Sequence, residues 1–433
     1  MAKRVFVKDL AKYIGREVTL QGWVRNYRKS SSKLRFIIFR DGTGEVQVVA
    51  WKPDLGEENF EKVKALTLES SIIITGIPKK HPNLDGQFEI QLTGLEIVHI
   101  AEDYPIGKKE HGVDFLLSNR HLWLRSSKQH ALMKIRHTVY FAICEYLNNN
   151  GFYRFDSPIL TPNACEGTTT LFEVPYFDQG KAYLSQSGQL YLEAGIMSLG
   201  RVYDFGPVFR AEKSKTRKHL TEFWMMDAEE AYVEHKENMQ IQEQLIRFVI
   251  KSVLKNNLVD LQTLERDIDA LKKADAPFKI ITYNDMIEIL QAKGVSINYG
   301  DDMGAPEEEA LAEGSDVPIF IERWPKHIKA FYMKQDPNDP DISLGSDLIA
   351  PEGFGEIIGG SQREDDYDIL KKRMEEDGIS MQDYQWYLDL RKYGSVPHSG
   401  FGVGLERLIG WMSGVRHIRE AIPFPRMLYR IYP

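Results

Sequence analysis

The sequence predicts an α+β protein in two domains, a small closed β-barrel first and then a larger domain built on an antiparallel sheet flanked by helices. Three observations carry this prediction. Short β-rich runs broken by turns crowd the N-terminal quarter, two long amphipathic helical patterns lie beyond them, and extended runs close together in sequence fall between those helices. At 433 residues the chain also exceeds what one hydrophobic core usually organises.

The β-rich runs are Val18–Val24, Leu34–Phe39, Glu45–Val49, Ser71–Gly76 and Phe88–Leu92, with Asp41-Gly-Thr-Gly44 as a tight turn. Five short strands at this spacing favour an OB-fold barrel over residues 1–101, although another small barrel or sandwich gives the same strand count. The stretch 102–114 is polar, carries Pro and Gly and lacks periodicity, which predicts a hinge or linker. Residues 115–433 then form the second domain. In it, Lys128–Asn149 reads as one amphipathic helix through Met133, Ile135, Val139, Ile143 and Leu147, stopping at Asn148-Asn-Asn-Gly151. A second helix runs over Glu237–Asn256, with Ile241, Leu245, Ile246, Val249 and Val253 on one stripe. The extended runs Ala182–Ser185, Val202–Ala211 and Thr221–Ala231 lie too close together for βαβ units and imply antiparallel pairing. A small insertion is expected around 258–330.

Composition excludes more than it names. A hydrophobic fraction of 42% and a charged fraction of 27% fit a soluble globular chain and exclude a fibrous or disordered one. No apolar run reaches membrane-spanning length, and Met1–Asp9 lacks the apolar core of a signal peptide, so a cytoplasmic location away from membranes is expected. Two cysteines, Cys144 and Cys165, are too few for a disulfide framework or a cysteine metal site. The net charge of −8 argues against nucleic acid only if charge is spread evenly, and it is not. Basic residues concentrate at Arg25–Arg40 and Lys213–Lys218, and acids at Glu307–Glu313 and Asp336–Asp347.

Three segments carry candidate chemistry. In Phe209-Arg-Ala-Glu212 and Thr221-Glu-Phe-Trp-Met-Met-Asp227, residues two apart share a strand face, which groups Arg210 with Glu212, and Phe223 with Met225 and Asp227. An arginine can hold a phosphate through parallel hydrogen bonds, and an aromatic ring can stack on a base. A solvated cationic hairpin is the plain alternative. In Pro397-His-Ser-Gly-Phe-Gly-Val-Gly-Leu-Glu-Arg407, alternate glycines clear one strand face for a flat ligand, with Arg407 where a helix begins. The spacing fits neither a dinucleotide fingerprint nor a P-loop. In Gly355-Glu-Ile-Ile-Gly-Gly-Ser-Gln-Arg363, Glu356 joins Asp347 as a candidate Mg²⁺ ligand.

In this order the segments resemble motifs 2 and 3 of class II aminoacyl-tRNA synthetases with the glycine-rich strand between them, and Phe152–Leu160 resembles motif 1 through Pro158. An OB-fold ahead of the catalytic domain is the layout of the aspartate, asparagine and lysine subclass. The resemblance implies ATP as substrate, with catalytic roles for Arg210 on the α-phosphate and Arg407. It places Glu212 and His219 in the ATP site, adenine between Phe223 and Arg407, and Mg²⁺ on Asp347 and Glu356. Gly359 stands where aspartyl relatives usually have serine. For the amino acid it implies Glu166 and Gln189 at the α-ammonium and Arg363 at the side-chain oxygen. Aspartyl relatives carry a lysine in Pro-Gln-Leu-Tyr-Lys-Gln, whereas this chain reads Gly188-Gln-Leu-Tyr-Leu192-Glu193.

Without that cation a buried carboxylate is costly and a neutral carboxamide is not, so L-asparagine and tRNA(Asn) are the expected substrates. Asp227 would accept from the carboxamide, although asparaginyl relatives often carry glutamate there. The resemblance further implies a homodimer through motif 1. It also implies anticodon reading by Phe36 and Gln47, with Arg25, Arg28 and Lys33 on phosphates. A core Phe and a solvated Gln are the plain reading of that pair. The nearest alternative activity is an aspartyl enzyme charging more than one tRNA. A synthetase-derived asparagine synthetase is more remote, because it has no use for an anticodon-binding domain.

Overall fold

A computed structural model describes residues 2–82, 84, 86–107, 109–162, 171–214 and 216–433. The chain divides into two compact units, Met1–His111 and Gly112–Pro433, and the division falls within the stretch 102–114. No helix among the described residues is long and apolar enough to cross a membrane.

The first unit is a barrel of five strands: β1 (Val18–Lys29), β2 (Leu34–Arg40), β3 (Glu45–Trp51), β4 (Ser71–Lys80) and β5 (Phe88–His99). Strand β1 pairs with both β2 and β4, which closes the ring through β3 and β5. Alternation decides what faces inward: Val18, Leu20 and Val24 on β1, Ile37 and Phe39 on β2, and Val46, Val48 and Ala50 on β3 fill the interior. Gly22 permits the closure, since a Cβ there would lie 2.2 Å from the Arg40 carbonyl oxygen of the neighbouring strand. The helix Glu57–Lys64 adds Phe60 and Val63 to the same core.

The second unit is built on α1 (Ser127–Asn149), α2 (Gln189–Leu199), β6 (Arg201–Tyr203), β7 (Gly206–Phe209), β8 (Glu222–Ala231), α3 (His235–Asn256), β9 (Lys279–Thr282), β10 (Ile319–Pro325), β11 (Asp339–Ala350), β12 (Gly355–Gln362), β13 (His398–Gly404) and α4 (Leu405–Ser413). The main sheet runs β9-β10-β11-β12-β13-β8-β6, ending on the short strand Tyr153–Arg154, with β7 paired to β8. Its centre is antiparallel, and parallel pairs occur at both ends, β9 with β10 and β6 with Tyr153–Arg154. The run Val202–Ala211 forms two strands, β6 and β7, split at Asp204-Phe205.

Helices α1 and α3 cover one face of this sheet. Ser126 caps α1 by accepting from the Gln129 N–H, and Gly151 at φ 82° turns the chain away at its other end. The apolar stripe Leu132, Ile135, Val139, Ile143 and Leu147 is buried in one cluster with Leu245, Ile246, Val249, Ile250 and Val253 of α3. Each such side chain contributes about 2 kcal/mol of burial. The segment 258–330 does not hang off this body. Its strands β9 and β10 continue the main sheet, and its helix Tyr283–Ala292 packs on Ile319, Ile321 and Ile349.

Candidate active site

The floor of the site comes from β8 and β13, whose register sets Glu229 opposite Gly400, Asp227 opposite Gly402 and Met225 opposite Gly404. A Cβ on residue 400 would lie 2.1 Å from the Glu229 carboxylate, and one on residue 402 would lie 2.7 Å from Asp227 Oδ1. At Gly404 nothing lies within 4 Å. The first two glycines therefore make room for acids of the neighbouring strand, and only the third leaves open space. That corrects the expectation that all three clear the face for a ligand.

Arg363, one residue beyond β12, is held at this floor. Its Nε donates to both Glu229 oxygens at 3.1 and 3.2 Å, and its Nη1 donates to Ser361 Oγ at 2.6 Å. Burial pushes the Glu229 carboxyl up to about 8 against the pull of Arg363, and Glu193 adds to the rise. A second buried pair lies one helical turn from Gln189. Glu193 of α2 accepts from Arg391 Nη2 at 2.6 Å and from the Tyr387 hydroxyl at 2.8 Å, and His398 Nε2 lies 3.1 Å away. Burial opposes its ionisation, but Arg391, His398 and Arg363 outweigh that and keep it below the usual carboxylate range. Gln189 Nε2 donates to this carboxylate at 3.2 Å.

The third acid, Asp227, receives the Gly188 N–H at 2.8 Å and the Ser187 hydroxyl at 3.0 Å on the same oxygen, Oδ2. The two buried arginines are thus each committed to a glutamate. Leu192, at the place of the aspartyl-type lysine, is fully buried with Ile196 and Val202. Lysines near these strands are committed as well: Lys329 lies 2.6 Å from Asp347, and Lys334 pairs with Glu364 at 3.5 Å and with Asp365.

Arg210 follows β7 directly. Its Nη1 donates to the Gln186 carbonyl at 2.5 Å, and its guanidinium stands 5.7 Å from the centre of the Phe223 ring. Arg407, in the first turn of α4, donates to the Glu356 carbonyl at 2.9 Å and lies 3.9 Å from its carboxylate. His219 is bonded to Thr216 and lowered in pKa by burial first and Arg407 second, with Glu212 and Glu356 pulling the other way. The structure thereby brings Glu212, His219, Glu356 and Arg407 together. In the basic loop, Lys218 pairs with Glu308 at 2.9 Å, while Lys215 lies outside the described residues.

Asp347 and Glu356 converge over Gly359, whose ideal Cβ would sit 3.8 Å from the first and 3.1 Å from the second. Burial pushes Asp347 up to about 6 despite Lys329 beside it. No group of three or more His, Cys, Asp or Glu able to hold a metal occurs among the described residues. A carboxylate pair suffices for Mg²⁺, which takes one or two carboxylates and completes its shell with phosphate and water. Glu166 lies outside the described residues. In the first unit, Phe36 and Gln47 stand on the outer wall of the barrel, because the inward positions belong to Ile37, Phe39, Val46 and Val48. The Arg28 guanidinium lies 4.9 Å from the Phe36 ring centre, Gln47 Nε2 donates to Glu89 at 3.2 Å, and Arg25 lies 3.8 Å from Glu45.

Sequence reasoning missed Glu229, Glu193, Arg391, His398, Tyr387 and Lys329. One signal was available, the spacing of four between Gln189 and Glu193, which puts both on one helix face.

An antiparallel sheet that gathers Arg210, Arg407 and a carboxylate pair near a buried floor of paired acids and arginines holds the kinds of group that activation of a small acid with a nucleotide needs. Residues 112–428 match the family of class II tRNA synthetases (D, K and N), and residues 18–98 match the OB-fold nucleic acid binding domain. An asparagine–tRNA ligase of Pelotomaculum thermopropionicum is 53% identical over 431 residues, covering 100% of both chains. The asparaginyl-tRNA synthetase of Pyrococcus horikoshii, solved with asparaginyl-adenylate, superposes with a TM-score of 0.95 at 46% identity, covering 100% of both chains. That of Entamoeba histolytica, also solved with asparaginyl-adenylate, gives 0.91 at 33% with the same coverage. The chain belongs to the class II tRNA synthetases, in the group for aspartate, lysine and asparagine.

Proposed function

We propose that this protein is an asparagine–tRNA ligase, which activates L-asparagine with ATP and transfers it to the 3′ end of tRNA(Asn). The observation that carries the choice of amino acid is the charge balance of the pocket. Arg363 and Arg391 are each paired with a buried glutamate, and Asp227 adds a third buried acid to the same floor. A substrate carboxylate would enter that environment without a partner, whereas a carboxamide offers its NH₂ to Asp227 and its oxygen to Arg363.

In the proposed mechanism Arg210 grips the α-phosphate, and the asparagine carboxylate attacks phosphorus to give asparaginyl-adenylate and pyrophosphate. Glu212 and His219 orient the nucleotide, and Phe223 and Arg407 sandwich its adenine. Gln189, steadied by Glu193, receives the α-ammonium together with Glu166. Rate enhancement comes from positioning and charge stabilisation, with no covalent protein intermediate. Asp347 and Glu356 would hold Mg²⁺, which when bound neutralises phosphate charge. Phe36 and Gln47 read the anticodon on the barrel wall, with Arg25 on its backbone. Residues 1–101 serve tRNA and 115–433 serve catalysis, on either side of a hinge at 102–114. A homodimer is supported by the exposed apolar side chains Phe141, Tyr153, Ile159 and Leu160 around the motif 1 segment. A cytoplasmic location accords with this function.

The test is tRNA charging by purified protein with each amino acid in turn. Charging with asparagine is expected, and charging with aspartate alone would overturn the assignment.

A further inference from the structure

Beside Gly188, on the same face of the sheet as Asp227, lies an acid that the mechanism above does not use. The pairing of β6 with β8 runs Arg201 to Glu230, Val202 to Glu229 and Tyr203 to Ala228. One step further, the Asp204 N–H donates to the Asp227 carbonyl at 2.9 Å, so the two aspartates are direct cross-strand neighbours. Residues so placed in an antiparallel pair share a face of the sheet. Both are buried, at 8% and 4% exposure.

Gly188 sits between them. An ideal Cβ on it would lie 1.8 Å from Asp204 Oδ2 and 2.6 Å from Ser157 Oγ, so Asp204 occupies the space that any other residue at 188 would need. The N–H of the same glycine donates to Asp227 Oδ2. Asp204 therefore touches both the main chain of Asp227 and the loop that supplies its donor. No ion pair to Asp204 occurs among the described residues, and the acid Asp156 lies nearby.

We propose that Asp204 is a positioning residue whose ionisation is coupled to that of Asp227, so that the pair carries one proton, and that where this proton resides sets how strictly the pocket separates an amide from a carboxylate side chain. The proposal rests on the asparagine reading of the pocket. Two buried carboxyls set directly opposite each other do not both ionise near neutral pH. While the proton resides on Asp204, Asp227 is an anion that accepts from a carboxamide and repels a carboxylate. While it resides on Asp227, that carboxyl donates a hydrogen bond to a substrate carboxylate, and aspartate is admitted. Burial first, and Asp227 second, push the Asp204 carboxyl up to about 8. Asp227 is raised as well, by burial, against the donations of Gly188 and Ser187.

The other charged groups around the pair are Arg210 after β7, Arg363 after β12, Glu229 on β8 and Glu193 on α2. The two glutamates are held by arginines, and the arginines keep their charge throughout the range in question. Glu229 is raised to about 8 as well and adds its own ionisation to the native profile, so the Asp204 variants isolate the part that belongs to the aspartate pair.

The experiment measures ATP–pyrophosphate exchange with L-asparagine and with L-aspartate from about pH 6 to about pH 9, for the native protein, Asp204→Asn and Asp204→Ala. The ratio of the two kcat/KM values cancels titration of the α-ammonium, which both substrates share. In the native protein this ratio is expected to rise with pH, by at most about tenfold per pH unit for one ionisation. In Asp204→Asn it should be less steep than in the native protein and exceed the native ratio at the acid end, with Asp204→Ala behaving alike. A variant that keeps the native slope while losing activity equally toward both amino acids would show a merely structural residue and overturn the proposal. The native profile alone is also decisive, since a preference for asparagine that stays constant with pH overturns the shared proton. A native preference for aspartate at every pH would instead overturn the functional reading on which it rests.

Discussion

The substitution Glu229→Gln tests the charge balance directly. The amide keeps the shape of the side chain and one acceptor for Arg363 but removes the negative charge that the carboxylate carries once pH passes its raised pKa of about 8, so the comparison is made at about pH 9. The pocket then gains one net positive charge beside the position proposed for the substrate's distal group. A unit charge about 5 Å from a substrate carboxylate, at an effective dielectric constant of about 20, is worth about 3 kcal/mol. That converts to about two orders of magnitude in favour of aspartate in the ratio of kcat/KM values. The assay is amino-acid-dependent ATP–pyrophosphate exchange with each substrate at saturating ATP, alongside a denaturation curve. Stability should fall by up to about 3 kcal/mol, because a buried arginine loses its full counter-charge while retaining a hydrogen bond. A folded variant whose discrimination matches the native protein would refute the claim that paired cations select the amide.

Arg210→Ala should abolish asparagine-dependent exchange, and near-normal exchange would remove Arg210 from the phosphate site. Phe36→Ala should leave exchange intact and raise KM for tRNA by about tenfold or more, the range of one lost stacking contact, read by aminoacylation kinetics. Asp204→Asn should alter stability in a pH-dependent way. The folded-state pKa of Asp204 is raised above its unfolded value, so the native protein loses stability as pH climbs from about 4 to about 8, and the variant does not. The difference in Tm should therefore be small at the acid end and widen toward pH 8, and a constant difference would refute the raised pKa.

Much of the architecture was legible because it rests on local periodicity. The stripe Leu132 to Leu147 and its counterpart on α3 repeat at helical spacing, and the barrel strands alternate, so each declares its buried face without knowledge of its partner. Strand ends were less visible. The barrel's first strand continues to Lys29, past its apolar run, because pairing with the next strand sustains it where composition does not. Local placement was legible within one segment, as with Arg210 beside Phe223 and Arg407 at the start of a helix. It was illegible where chemistry arises from register. Nothing local says that Gly400 faces Glu229, and nothing joins Glu193 to Arg391 and His398 from a place so distant along the chain. The alternating glycines were seen, but their reason was not, since the groups filling their space belong to another strand.

Closure of the small barrel has its own bearing on how it can meet RNA. With β2 bonded to β1 on one side and β3 on the other, and β3 bonded in turn to β5 at Gln47–Val49, the wall around Phe36 and Gln47 offers no row of free N–H and C=O groups to a visiting strand or backbone. Whatever is read there must be read by side chains standing outward, and these can be exchanged one at a time without disturbing a single rung of the ladder beneath. The specificity of such a wall is separable from its stability, which leaves Phe36 and Gln47 free to be rewritten while the cylinder that displays them stays as it is.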